Sequence, residues 1–147
     1  MKNRYLVSFI TALLFVSLIT VVQADDRTQE KAAQHAAETW MPLFDSGKYA
    51  ESWEELAQYT KAHLDKRTWE VYLIAVRQPL GELKTRKLKR AQFIKSLKGV
   101  PDQSGAILEY ESSFENKKSV IETFAMMLEK DGTWRVANYI PKDGPRE

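Results

Sequence analysis

The chain has 147 residues, the size of a single domain, with 22 Lys and Arg against 20 Asp and Glu and no cysteine. Its surplus of two positive charges comes from Lys2 and Arg4; residues 25–147 balance at 20 basic against 20 acidic, which gives no support to a nucleic-acid partner. Without cysteine, a disulfide framework, thiol catalysis and a lipid anchor through an N-terminal cysteine are excluded.

The first 24 residues read as an export signal. Lys2 and Arg4 form a positive start, Tyr5 to Val22 is an uncharged and mostly apolar run, and Val22-Gln23-Ala24 places small residues where signal peptidase cuts. Asp25 and Asp26 then open the mature chain, so cleavage is expected near Ala24. The alternative is an uncleaved anchor over residues 5–22, because that run approaches the length that spans a bilayer. Either way the positive end stays inside and residues 25–147 lie outside the cytoplasmic membrane, periplasmic or secreted, with membrane contact only through this segment.

Residues 25–147 read as one α+β domain. Thr28 to Phe44 places Ala33, Ala36, Ala37, Trp40 and Phe44 on one face of a first helix, and Asp45-Ser46-Gly47 is a turn. Lys48 to Leu64 reads as a second helix with Tyr49, Trp53 and Leu56 along its stripe. A third runs from about Lys66 to Val76, with Trp69, Tyr72, Leu73 and Val76 inward, and Pro79 and Gly81 end it.

Leu83 to Phe93 suits a strand, though Leu88 to Phe93 would fit a helix as well. Lys98 to Gly105 is a loop. Ala106 to Phe114 and Val120 to Leu128 alternate as strands. Asp131-Gly132 signals a hairpin into a last strand, in which Trp134, Val136, Asn138 and Ile140 alternate with Arg135, Ala137 and Tyr139. Pro141 to Glu147 reads as a frayed polar tail. The expected architecture is about three N-terminal helices packed on a curved, mainly antiparallel four-stranded sheet, a cone whose inside is a natural pocket.

Several spaced motifs then carry a resemblance. Trp40 to Phe44 with Asp45, Gly47, Tyr49 and Ser52-Trp53 come first, then Trp69, Arg77-Gln78-Pro79-Leu80-Gly81 and Arg86. Tyr110, Ser113-Phe114, Asn116-Lys117, Glu122, Asp131-Gly132, Trp134-Arg135-Val136 and Tyr139 follow in order. Over about residues 28–140 the chain resembles domain of unknown function 4019, an uncharacterised family of exported bacterial proteins. The resemblance implies an NTF2-like layout, a group that includes pocket enzymes, small-ligand binders and dimerisation modules, and it brings no catalytic residue or cofactor. One departure is Ala137-Asn138, where the family pattern has a glycine; Asn tolerates positive φ better than most residues.

No metal site is expected, because His35 and His63 stand on different helices without a second ligand one turn away. No G-x-S-x-G, S-x-x-K or G-x-G-x-x-G occurs, so neither a catalytic serine nor a nucleotide cofactor is indicated. Glu122 lies in an apolar alternation and, if that face is buried, must be paired or have a raised pKa. Arg77, Arg86 and Arg135 are its candidate partners, with Tyr110 and Tyr139 nearby, as a pocket or as a structural ion pair, the latter favoured. Lys84, Arg86, Lys87, Lys89 and Arg90 form a basic run that suits a solvated edge strand better than a docking site for an anionic surface. The favoured function is a non-enzymatic envelope module for an unknown small ligand or protein partner. A proton-shuttling pocket enzyme and a purely structural homodimer are the alternatives.

Overall fold

The computed structural model describes residues 25–100 and 102–145. The signal-segment reading concerns residues 1–24 and lies outside them. Among the described residues no helix is long and apolar enough to cross a membrane. Helix α1 covers residues 25–45, followed by α2 (Tyr49–Glu54), α3 (Gln58–His63) and α4 (Lys66–Val76). A 3-10 turn, Gln78–Leu80, leads into β1 (Leu83–Ile94), β2 (Gly105–Phe114), β3 (Val120–Leu128) and β4 (Trp134–Asp143). The strands form one antiparallel meander in the order β1-β2-β3-β4. Helices first and sheet after give the expected α+β architecture, with four helices where about three were expected.

The periodicity of α1 is the source of its burial. Ala33, Ala37, Trp40, Met41 and Phe44 recur every third or fourth residue and are all buried. They meet Leu108, Tyr110, Phe124, Met126, Val136 and Tyr139 from the inner sheet face, joined by Leu56, Trp69 and Leu73 from the other helices. The rings interlock: Phe44 meets Tyr139 edge-on at 4.5 Å, and Trp40 and Phe124 lie 6.3 Å apart at 78°. The inside of the cone is therefore occupied by the protein's own aromatic side chains.

Three sequence expectations are corrected. The second helix is two, α2 and α3, broken at Glu55 to Ala57. No glycine or proline marks the break. The Ala57 N–H donates instead to the Val136 carbonyl of β4 at 2.9 Å, and Leu56 and Ala57 are both fully buried. A bond to the sheet and the burial of two apolar side chains outweigh one more helical turn. The last strand does not alternate as written: Trp134, Val136 and Tyr139 face inward while Asn138 and Ile140 are exposed. A bulge between Val136 and Asn138 inserts Ala137 and reverses the phase. Asn138 accordingly does not take a positive φ, and its Oδ1 accepts from the Tyr139 N–H at 2.9 Å. Finally, β4 continues to Asp143, because β3 begins at Val120 and supplies a pairing partner that far, so residues 141–143 are strand.

Leu83 to Phe93 is a strand, with two bulges, between Leu83 and Thr85 and between Leu88 and Arg90. These turn Arg86, Leu88, Ala91 and Phe93 inward, each opposite an inward residue of β2. Strand β1 is an edge, and its lysines face solvent, Lys84 beside Glu82 and Lys89 beside Glu111. Near its far end the Phe93 N–H donates to Glu30 Oε1 of α1 at 3.1 Å.

The Arg77-Gln78-Pro79-Leu80-Gly81 stretch is a corner. Pro79 sits in the first turn of the 3-10 segment, where its missing N–H is harmless. Gly81 ends it at φ 78°, ψ −155°, a region that only glycine occupies readily. A Cβ there would also stand 2.8 Å from Asn116 Nδ2 and 2.9 Å from Glu115 Oε2. Asn116 fastens the β2–β3 turn to the corner: its N–H donates to Leu80 O, and its Nδ2 to Pro79 O, both at 3.0 Å.

Gly81→Ala is therefore expected to destabilise the protein by about 1–3 kcal/mol, measured by urea denaturation, with an unchanged midpoint as the result against it. Asp65 caps α4, its Oδ1 accepting from the Thr68 N–H at 2.9 Å. The hydroxyl and the N–H of Thr68 hold its carboxyl below the ordinary 3.8. A depressed carboxylate stabilises the fold above the unfolded value and loses that contribution as pH falls through the folded one. Asp65→Ala should melt at a lower temperature than the parent at neutral pH, and the gap should close in acid below pH 3.8.

Candidate functional site

Two features on the inner side carry chemistry: a buried ionic cluster and a groove at its margin. The cluster forms where the end of α1, the end of α4, β1 and β3 converge. Glu122 on β3 is fully buried. Its Oε1 accepts from Tyr139 Oη and from Arg86 Nη2, each at 3.0 Å. Its Oε2 accepts from Arg86 Nε at 2.7 Å and from the Ser112 hydroxyl. Arg86 turns its other side to Asp45, with Nη1 to Oδ2 at 2.6 Å and Nη2 to Oδ1 at 3.0 Å. Arg77 completes the set, donating from Nη2 to Asp45 Oδ1 at 3.1 Å and from Nη1 to Gly81 O at 2.8 Å. Its guanidinium also lies 4.6 Å from the Phe114 ring centre and 5.3 Å from that of Phe44.

Two cations thus face two anions, and the cluster is electrically neutral. Burial alone would lower the pKa of Arg86, but hydrogen bonds and charge from Asp45 and Glu122 outweigh it and raise the pKa overall. Burial, and then the charge of Glu122, push the Tyr139 phenol upward. Both oxygens of Glu122 already accept two hydrogen bonds, so the carboxylate has no lone pair left for a substrate proton. The Arg77 Nε–H is buried without a partner, the one such side-chain atom among the described residues.

The sequence-derived candidates divide on this geometry. Arg86, Glu122 and Tyr139 come together, and Arg77 joins them through Asp45. Tyr110 lines the same core, but its hydroxyl donates to Glu38 Oε1 at 3.3 Å. Burial and the neighbouring Glu38 charge raise its pKa. Arg135 is elsewhere, paired with Glu55. Sequence reasoning missed Asp45 and Ser112. Asp45 was read as part of a helix-ending turn, and its position opposite two arginines distant in sequence has no local signature. Ser112 could have been found, since it alternates with Tyr110 and Phe114 on the buried face.

The groove has a volume of about 540 Å³ and runs between α1 and the start of β4. Trp40, Leu43, Trp134 and Val136 supply apolar surface, while His35, Thr39, Glu55 and Arg135 bring polar side chains. Trp40 is fixed by its indole N–H, which donates to Ser52 O at 2.9 Å, and Trp134 by an edge-on contact with Phe93 at 6.2 Å.

A family model matches residues 36–139: the protein of unknown function family DUF4019. The chain belongs to DUF4019. Comparison with curated proteins and with solved structures gives no match. The matched span of this DUF4019 chain runs from within α1 into β4 and contains the whole ionic cluster and the Arg77–Gly81 corner. It also contains every residue that lines the groove except His35.

Removing one member of the cluster leaves its partners charged and buried. Arg86→Met should cost about 3–5 kcal/mol in chemical denaturation. The double variant Arg86→Met, Glu122→Leu leaves Asp45 paired with Arg77 and should recover a large part of that loss. If the double variant is as unstable as the sum of its singles, the two residues do not act as a pair.

Proposed function

We propose that this DUF4019 protein is an exported, non-enzymatic binding module whose ligand site is the groove between α1 and β4. The observation that carries this reading is a concavity in which the edges of buried Trp40 and Trp134, with Leu43, meet the polar side chains of His35, Thr39, Glu55 and Arg135, beside an interior already filled. A volume of about 540 Å³ lies within the range of small-molecule sites, which are mostly apolar with a few placed polar groups. Export rests on the signal pattern of residues 1–24 and the resulting placement outside the cytoplasmic membrane.

The proton-shuttling alternative has less support. It needs a carboxylate that reaches a substrate, and Glu122 is sealed with its acceptors in use. The homodimer alternative draws on the outer sheet face, where Ile140 is 41% exposed. It is compatible with the groove reading, since the groove lies on the helix side of β4.

Native mass spectrometry of the full protein, purified gently from its source, tests the assignment. The expected result is a defined mass increment on the parent protein that is lost in Thr39→Trp, which fills the groove from its exposed rim. A retained ligand indifferent to that substitution would place the site elsewhere, and a bare mass for the parent would count against a resident ligand.

A further inference from the structure

Arg135 is half-buried on β4 and lines both the groove and a neighbouring depression that includes Tyr59, Glu129 and Asp131. Its hydrogen bonds come from Nη1 alone, which donates to Glu55 Oε2 at 3.1 Å and, at 3.4 Å, to Glu55 O, while its charge also acts on Asp131. Nε and Nη2 have no partner among the described residues, and neither is sealed from water. That edge is the one with which guanidinium takes a carboxylate in two parallel hydrogen bonds. The same protein shows the engagement completed elsewhere: Arg86 grips Glu122 through Nε at 2.7 Å and Nη2 at 3.0 Å.

The other polar groups of the groove agree in sign. The His35 imidazole and the Trp134 indole N–H make no hydrogen bond among the described residues, and the latter is a donor only; both residues line the groove. Glu55, the groove's one carboxylate, is already engaged with Arg135, and its side chain is 58% exposed. An exposed pair held through a single nitrogen is weak, so an arriving anion displaces it at little cost. Trp40, Leu43 and Trp134 line the groove beside it, each tryptophan less than a tenth exposed.

We propose that the groove takes a compact, ring-containing apolar molecule bearing one carboxylate, its anion received by the open edge of Arg135 and its body set against the lining formed by Leu43 and the exposed edges of Trp40 and Trp134. This rests on the groove being the binding site. A ligand cation would meet only Glu55, in competition with Arg135, and a wholly uncharged ligand would leave the guanidinium edge unused.

The test compares two probes of one shape, 1-naphthaleneacetate and 1-naphthaleneacetamide, titrated calorimetrically into the full protein. The acetate should bind more tightly than the amide. Arg135→Met should weaken the acetate about tenfold or more and leave the amide unchanged. Glu55→Gln should tighten the acetate by removing its competitor, a gain that a merely structural role for Arg135 does not produce. Thr39→Trp should weaken both probes. If the probes bind alike and Arg135→Met alters neither, while Thr39→Trp weakens both, the anionic class is wrong and the groove stands. If Thr39→Trp changes neither, the groove itself is not the site and the inference falls with it.

Discussion

The Arg86 guanidinium is the junction on which the structure turns. It binds Glu122 with one edge and Asp45 with the other, and Asp45 in turn binds Arg77. One planar group therefore connects the end of α1 with β1 and β3, and through Asp45 with the end of α4. A buried carboxylate is tolerated only when charge and hydrogen bonds replace the water it loses. Glu122 meets that condition within the sheet, through Arg86, Ser112 and Tyr139, and Asp45 on α1 then takes the second edge of Arg86. The cluster thus ties the layers in a defined orientation, which apolar contacts alone specify less sharply.

The rest of the interior follows from that orientation. With Asp45 fixed, Phe44 lies against Phe124 and Tyr139, and Trp40 one turn earlier meets Phe124 and Trp69. The bulge at Ala137 lets β4 present Val136 and Tyr139 to the same core. It also frees the Ala137 carbonyl to accept from Thr60 Oγ1 at 2.9 Å. Together with Ala57 on Val136 O, and the Tyr72 hydroxyl on Tyr139 O at 2.6 Å, this covers the β4 edge with helix. The other edge, β1, is protected by bulges and exposed lysines.

A filled interior moves any binding to the margin. Curved sheets with helices on one side leave either a pocket within or a groove at the rim. Here the aromatic content of α1 and the sheet settles the interior in favour of packing. At the rim the edges of Trp40 and Trp134 line a groove beside Arg135, so apolar lining and charge occur together there. The ionic cluster and the groove share α1, which holds Trp40 and Asp45 on a single rigid element.

Much of this was legible in the sequence. Helical periodicity gave α1 and α4, and alternation gave β2 and β3 and the start of β4, because burial on one face imposes a period that side chains display directly. The place of Glu122 in an apolar alternation announced a buried charge, and the nearby arginines limited its partners. What the sequence could not supply was whatever depends on residues far apart in the chain. The break between α2 and α3 comes from Val136 capturing the Ala57 N–H, and no local signal in residues 48–64 competes with that. Arg86 rather than Arg77 or Arg135 took Glu122 because a β1 bulge turned Arg86 inward. Asp45 became its second partner only when α1 was laid across the sheet. The filling of the cone and the open edge of Arg135 are likewise results of packing, since exposure is a property of the assembled chain. The sequence by itself determined the element types and the composition of the core; tertiary contact decided which charges met and where an accessible surface remained.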